Sequence, residues 1–212
     1  LLKLARFTGS RSISDFADKI SASYAELISK FNSLGAEYIQ FDEPYLVFDL
    51  TDVDKKLFTS LYNKILSAKG NTKVILQTYF GDVRDCYNEI CTLDFDGIGL
   101  DFIEGRKSLE LIKAFGFPKN KLLFAGLVNG KNIWRNNYSK TIEIISELKN
   151  HIQNIVLTTS CSLLHVPYTL KNETKLAESY KMHFSFAEEK LNELSELKTI
   201  LTVGNPYDTD IF

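Results

Sequence analysis

The sequence predicts an α/β protein and, within that class, an incomplete (β/α)8 barrel of about six βα units. Short, almost continuously apolar runs alternate with longer amphipathic segments, as in a parallel sheet with helical crossovers. Polar residues follow the apolar runs directly, at the edge where a barrel builds its sites. No Gly-x-Gly-x-x-Gly or Walker-type loop follows any run. This absence weakens the alternative of a nucleotide-binding open sheet.

Six apolar runs are the predicted strands, and their β-branched residues suit strands covered on both faces. The runs are residues 1–5, 38–41, 74–76, 97–100, 122–128 and 155–157. Because the chain starts inside such a run and a barrel has eight strands, we expect the first two strands to lie upstream. We therefore expect residues 1–200 to form a partial barrel and residues 201–212 to begin a linker or tail.

Between the runs, apolar residues recur at the spacing of three and four that places them on one helix face. Ser14 is a candidate N-cap of the first helix, and Gly35 is a candidate left-handed residue at its C-terminal end. The last helix is predicted over residues 182–200. The predicted inward stripes are Phe16, Ile20, Tyr24, Leu27, Ile28, Phe31 and Leu34; Leu57, Leu61 and Ile65; Val83, Cys86, Tyr87 and Ile90; Leu109, Ile112 and Phe115; Ile142, Ile145 and Leu148; and Phe186, Ala187, Leu191, Leu194 and Leu197.

Composition excludes several classes of protein. With 25 Lys+Arg against 27 Asp+Glu, the net charge of −2 gives no electrostatic footprint for nucleic acid or an anionic membrane. No apolar stretch reaches the roughly 18 residues of a membrane-spanning helix, and the first residues do not show the pattern of a secretion signal, so we do not expect secretion. Cys86, Cys91 and Cys161 are too few for a disulfide scaffold. We therefore expect a cytoplasmic protein with no nucleic-acid or membrane partner.

Carboxylates follow two of the predicted strands. Asp42 and Glu43 come after the run at residues 38–41, and Asp101 follows the run at residues 97–100. The pair could bind an amine or act as a general base. Loop capping, with Pro44 fixing the turn, explains the pair equally well.

A thiol and an imidazole follow the run at residues 155–157. Cys161 could be a metal ligand or a nucleophile with His165 as its base. A zinc site needs three or four ligands, however, and Cys86 and Cys91 fall on an apolar helix face. We therefore predict no metal site in this chain and treat His165 as a hydrogen-bonded structural residue in the first instance.

The segment after the run at residues 122–128 contains the only tryptophan, Trp134. Asn132 and Arg135 flank it, and an Arg beside a Trp could hold a carboxylate or stack a flat ring. A packed loop that anchors the next helix is the alternative explanation.

Taken in order, these motifs resemble the N-terminal barrel of the cobalamin-independent methionine synthase family. The resemblance extends over nearly the whole chain and is most specific in Asn-Ile-Trp-Arg-Asn at residues 132–136 and Ser-Cys-Ser-Leu-Leu-His-Val-Pro at residues 160–167. The other matching segments are residues 36–44, 78–81, 97–101 and 128–131.

The resemblance implies a protein that moves the methyl group of 5-methyltetrahydrofolate, carrying a polyglutamate tail, to the thiol of homocysteine. It implies two face-to-face (β/α)8 barrels, of which the C-terminal barrel holds the catalytic zinc through one His, two Cys and one Glu. Thr78-Tyr79-Phe80 stands where that barrel has two of its ligands, and Cys161 stands near a third. Because their companions are missing, the resemblance implies that this chain binds no zinc and carries no catalytic residue.

The resemblance therefore implies that the chain supplies scaffold and a surface that faces the C-terminal barrel and the folate. Its expected partners are that barrel, folate polyglutamate and homocysteine. Its candidate substrate-binding residues are Asp42, Glu43, Tyr79, Asp101, Asn132, Arg135, Cys161 and His165. Two alternatives stay open. One is a stand-alone lyase or decarboxylase that uses Asp42, Glu43 and Asp101 for acid–base chemistry, and the other is a degenerate barrel that only binds a partner protein.

Overall fold

The structure is a computed structural model and describes residues 2–6 and 8–203. Five strands form one parallel sheet in which each strand pairs with the next along the chain. They are β1 Tyr38–Asp42, β2 Lys73–Gln77, β3 Gly97–Asp101, β4 Leu122–Val128 and β5 Ile155–Thr159. The five interior apolar runs predicted as strands are thereby confirmed.

Helices connect the strands as a parallel sheet requires. They are α1 Ser14–Ser33, α2 Asp52–Leu66, α3 Tyr87–Thr92, α4 Ser108–Phe115, α5 Tyr138–Lys149, α6 Glu178–Lys181 and α7 Ala187–Val203. Thr51 and Asp54 form a reciprocal capping box that fixes the start of α2. Gly35, at φ +79°, ends α1 as predicted.

The core lies between the sheet and its helices. Leu76, Leu100 and Leu123 from the three central strands are at most 1% exposed. Ile112 of α4 and Ile145 of α5 pack on the same cluster. Because β3 is buried along its whole length, the sheet is covered on both faces at its centre.

The strand predicted at residues 1–5 is absent from the described residues. Residues 2–5 form turns and a bend, while Leu1 lies outside the described residues. Leu2 is buried and Leu4 is 63% exposed, and the Lys3 ammonium lies 2.6 Å from the Asp54 carboxylate. The segment is therefore attached to the start of α2 by an ion pair, and its apolar residues do not pair as a strand.

Several details of the helix predictions were wrong. Ser14 is the first residue of α1 and does not cap it by a side-chain bond. Five residues predicted to face inward are exposed, namely Leu27, Phe31, Leu34, Phe115 and Leu191, at 45%, 42%, 73%, 62% and 54%. The helix predicted over residues 182–200 begins only at Ala187, because residues 182–186 pair with the loop after β4 through a bridge between Phe184 and Trp134.

The described sheet is open, so the barrel prediction is confirmed only as an α/β fold with a parallel sheet. Helix α7 runs to Val203, and the rest of the tail predicted over residues 201–212 lies outside the described residues. In the part of the chain that the structure describes, no helix is both long and apolar enough to cross a membrane.

Candidate functional site

All eight candidate residues lie at or just after the carboxyl ends of the strands, on one rim of the sheet. Asp42 and Asp101 are the last residues of β1 and β3, and the others lie in the loops that follow β1, β2, β4 and β5. Parallel strands in sequential order present these ends along one edge. The rim nevertheless divides into three groups of contacts.

The central group is built around Phe80. Its ring centroid lies 4.9 Å from that of Tyr79 and 5.4 Å from that of His165. The Lys131 ammonium lies 4.8 Å from the same Phe80 centroid and also pairs with Glu104 at 2.9 Å. Three aromatic rings and a cation therefore form one surface, which can hold a flat ring or an anionic group.

Phe80 has a left-handed backbone, with φ +71°, which is rare for a bulky residue. Asp101 supports this conformation by accepting a hydrogen bond from the Phe80 backbone N–H at 3.0 Å. The same carboxylate accepts the N–H groups of Ile103 and Glu104 at 2.7 and 3.0 Å. Burial raises the pKa of Asp101, and these three backbone donors oppose the rise. All three of these hydrogen bonds come from the backbone, so Asp101 fixes the conformation of the loops after β2 and β3.

Glu43 belongs to a second group, directly after β1 at the edge of the sheet. Its carboxylate accepts a hydrogen bond of 2.6 Å from the Tyr62 hydroxyl of α2. Burial raises the Glu43 pKa, and the bond from Tyr62 partly offsets this effect. Asp42 is exposed and accepts only the side-chain amide of Gln40 among its described bonds, at 2.7 Å. The two carboxylates therefore have different surroundings: Glu43 is bonded to a buried tyrosine, and Asp42 is exposed.

The thiol and the imidazole after β5 are separated in their contacts. Cys161 is 6% exposed, burial raises its pKa, and its thiol donates to the Ser162 carbonyl. His165 instead contacts Phe80, and among the described hydrogen bonds none joins it to Cys161. A thiol with a raised pKa is a weak nucleophile.

The zinc-ligand chemistry of the resembled family does not fit these residues. Within residues 2–6 and 8–203, no three His, Cys, Asp or Glu side chains converge to hold a metal ion.

Asn132 and Arg135 belong to the third group, the loop after β4. The Asn132 side chain accepts the Trp134 N–H at 3.1 Å, and the Arg135 N–H donates to the His183 carbonyl at 3.0 Å. The Arg135 side chain is exposed. The Trp134 ring packs against that of Phe184 with centroids 5.2 Å apart and the ring planes tilted by 45°. The loop is thus anchored to the segment before α7, as the packed-loop explanation expects.

The sequence reasoning missed Phe80, Lys131 and Glu104. Phe80 gives no signal of its own, since nothing in a sequence marks a phenylalanine for a left-handed backbone. Lys131 and Glu104 each follow a strand by a few residues, which is a signal that could have included them.

Comparisons with known proteins identify the family. Residues 1–153 match the family model described as "Cobalamin-independent synthase, N-terminal domain". A Lactococcus lactis subsp. lactis relative named 5-methyltetrahydropteroyltriglutamate–homocysteine methyltransferase is 59% identical over 181 residues, covering 85% of this chain and 24% of the relative. A Campylobacter jejuni relative of the same name is 50% identical over 201 residues, covering 95% of this chain and 27% of the relative.

A solved structure supports the fold. The B12-independent methionine synthase from Shewanella sp. W3-18-1, in complex with selenomethionine, superposes with a TM-score of 0.61 at 16% identity, covering 91% of this chain and 56% of that one. The chain spans about a quarter of the length of the curated relatives it matches. These matches do not favour the stand-alone lyase. The chain belongs to the cobalamin-independent methionine synthase family and corresponds to part of its N-terminal domain.

Proposed function

We propose that this chain is part of a protein that transfers the methyl group of 5-methyltetrahydrofolate, as its polyglutamate, to homocysteine and so forms methionine. The observation that carries this proposal is the 59% identity, over 85% of the chain, to a relative whose name states that activity. We further propose a cytoplasmic location and the C-terminal barrel of the same protein as the partner of this domain.

In this proposal the five strands belong to a (β/α)8 barrel that other parts of the full-length protein complete. Residues 1–200 are the barrel portion, and residues 201–212 begin the connection that follows it. An apolar groove of about 410 Å³ beside β1 supports this view. It lies between α1 and α2, where Leu27 and Phe31 are 45% and 42% exposed, and further secondary structure would bury it.

The chemistry is proposed to reside outside this chain. Zinc in the C-terminal barrel would supply homocysteine as a thiolate at neutral pH. The residues of this chain contribute position. Asp101 holds the loops after β2 and β3, and Lys131 and the rings around Phe80 form a surface toward the folate.

The remaining candidate residues, Asp42, Glu43, Asn132, Arg135 and Cys161, complete the proposed folate-side and inter-barrel surface. Their common location after the strand ends supports this assignment.

The test is methionine formation from homocysteine and 5-methyltetrahydropteroyltriglutamate. We expect the full-length protein that contains this chain to form methionine, and residues 1–212 alone to form none at equal concentration. A full-length protein stripped of metal by a chelator is the control, and readdition of zinc should restore its activity. Methyl transfer by residues 1–212 alone, or none by the zinc-loaded full-length protein, would overturn the proposal.

A further inference from the structure

A polar crevice of about 200 Å³ lies beside the first turns of α7, apart from the Phe80 surface. We call it the α7 crevice. Its lining includes the apolar side chains of Leu170, Met182 and Phe184 and the α7 glutamates Glu189, Glu193 and Glu196. Neither the proposed methyl transfer nor the family resemblance uses these residues.

Two buried polar atoms in the α7 crevice have no partner among the described residues. Glu193 is 2% exposed, and its Oε1 accepts the Asn136 N–H at 2.9 Å while its Oε2 accepts nothing. Ser185 is 0% exposed, and its hydroxyl is also unpartnered. Buried polar groups are almost always hydrogen-bonded, so two orphans lining one crevice indicate a missing donor.

Two of the other charged groups of the α7 crevice, Glu189 and Lys181, are already engaged. Glu189 accepts the Thr169 hydroxyl and the backbone N–H groups of Leu170 and Phe186. Lys181 pairs with Glu178 at 2.8 Å.

Two further groups near Glu193 are engaged as well. Glu196 accepts the Tyr138 hydroxyl. Lys190, one turn before Glu193, donates to the Trp134 carbonyl at 3.1 Å, and no described ion pair joins it to Glu193. Glu193 Oε2 therefore accepts no hydrogen bond from the described residues, while the buried Lys190 ammonium lies close enough for the Glu193 charge to oppose the lowering of the Lys190 pKa by burial.

We propose that the α7 crevice binds a small primary ammonium ion with a short apolar chain. The ammonium group donates to Glu193 Oε2 and Ser185 Oγ, and the chain lies along Leu170, Met182 and Phe184. The unpartnered carboxylate oxygen and hydroxyl favour a ligand that donates hydrogen bonds over an anion. A metal ion is disfavoured, because no described cluster provides three suitable ligands. The proposal does not rest on the proposed methyl transfer.

Ammonium groups occur both in simple amines and in α-amino acids, and Arg135 at the mouth could pair with an amino-acid carboxylate. Propylammonium and 2-aminobutyrate share one carbon chain and differ by that carboxylate. 1-Propanol is the neutral counterpart of propylammonium. Tighter binding of 2-aminobutyrate, lost in Arg135→Gln, would identify an amino acid, and equal binding would identify a simple amine.

The experiment is a ligand-observed NMR titration of the full-length protein at low ionic strength, where charge pairing is least screened. We expect saturable binding of propylammonium, none of 1-propanol over the same range, and at least tenfold weaker binding to Glu193→Gln. That variant keeps the acceptor for the Asn136 N–H. Glu147→Gln, which removes an exposed carboxylate on α5 paired with Lys113, is the matched control and should bind as the wild type does.

Absence of saturable binding by both ammonium ligands, or equal binding of 1-propanol, would overturn the proposal. Undiminished binding to Glu193→Gln would overturn it too. If Glu193→Gln does not fold, Ser185→Ala decides in its place, with a loss of about fivefold expected because one hydrogen bond is removed.

Discussion

Asp101 is the residue whose role most clearly separates the scaffold explanation from the lyase explanation. A single carboxylate accepts three backbone N–H groups from two loops at 1% exposure. An asparagine offers one acceptor oxygen, so Asp101→Asn leaves at least one buried N–H unpaired. We expect a loss of about 2 kcal/mol in local stability.

Hydrogen exchange of the Phe80, Ile103 and Glu104 amides in the full-length protein would measure that loss. Asp42→Asn is the control, because exposed Asp42 bonds only a neighbouring side chain and its loss should change stability by less than about 0.5 kcal/mol. Unchanged protection in Asp101→Asn together with lost activity would instead assign Asp101 to the chemistry.

Glu43 gives a pH-dependent prediction. Burial raises its folded-state pKa above the ordinary 4.5, so the folded state holds the proton more tightly than the unfolded state does. The free energy of unfolding therefore falls as pH rises from about 4.5 through the folded-state pKa. Glu43→Gln keeps an acceptor for the Tyr62 hydroxyl and removes this loss. We expect the variant and the wild type to be similarly stable at pH 4, and the variant to be more stable at pH 7.

Hydrogen exchange of α2 amides at the two pH values would test the Glu43 prediction. Glu147→Gln is the control. Because Lys113 lowers the Glu147 pKa, the change in stability with pH that this variant removes has the opposite sign. A variant that is less stable than the wild type at pH 7 would show that ionised Glu43 stabilises the fold.

At the scale of residues, the sequence predicts location better than contact. It places Tyr79 and Asp101 on one rim, because chain order in a parallel sheet determines which strand ends are neighbours. The sequence does not predict that Phe80 is the centre of the aromatic surface, since the Phe80 backbone is held by the Asp101 carboxylate from another strand. The exposed Phe115 and Leu191 show the same limit, because helical spacing defines a face without saying what covers it.

Helix α1 ends in a Schellman arrangement that depends on one glycine. The Ala36 N–H donates to the Phe31 carbonyl and the Gly35 N–H to the Asn32 carbonyl, both at 3.0 Å, while Gly35 has φ +79°. No atom lies within 4 Å of the position a Cβ would take, so a side chain there meets strain and no clash. We expect Gly35→Ala to cost about 1 kcal/mol.

Hydrogen exchange of the last turn of α1 would measure the cost. Gly35→Asn should cost less, because asparagine tolerates the left-handed region. Equal stability of Gly35→Ala and the wild type would show that the backbone can leave this conformation freely.

At the scale of elements, the five interior strands and the main helices were predictable because apolar period and strand–helix alternation are local properties. The strand prediction for residues 2–5 was wrong because a leucine-rich run also suits a turn held by an ion pair, here between Lys3 and Asp54. The helix prediction for residues 182–186 was wrong because this segment pairs with Trp134, about fifty residues away in sequence, and such a contact leaves no local pattern.

The whole molecule combines a covered centre with an uncovered edge. β3 is buried throughout, whereas β1 alternates between exposed and half-buried residues and leaves Tyr38 44% exposed. The apolar groove of α1 and α2 continues this edge. An unpaired strand beside exposed apolar side chains is a template for association. The open edge therefore supports the proposal that this sheet is completed within a longer protein.

The open edge predicts that residues 1–212, prepared alone, will self-associate through β1. The Glu37 carbonyl accepts from Lys73 and the Glu43 N–H donates to Gln77, so alternation along the strand directs the Gln40 N–H away from β2. Gln40→Pro removes that outward donor and should shift the isolated chain toward monomer in sedimentation velocity. Gln40→Ala, which also loses the side-chain bond to Asp42 but keeps the N–H, is the matched control and should associate as the wild type does. A monomeric wild-type chain that melts cooperatively would contradict the prediction, since it would show that β1 needs no further strand.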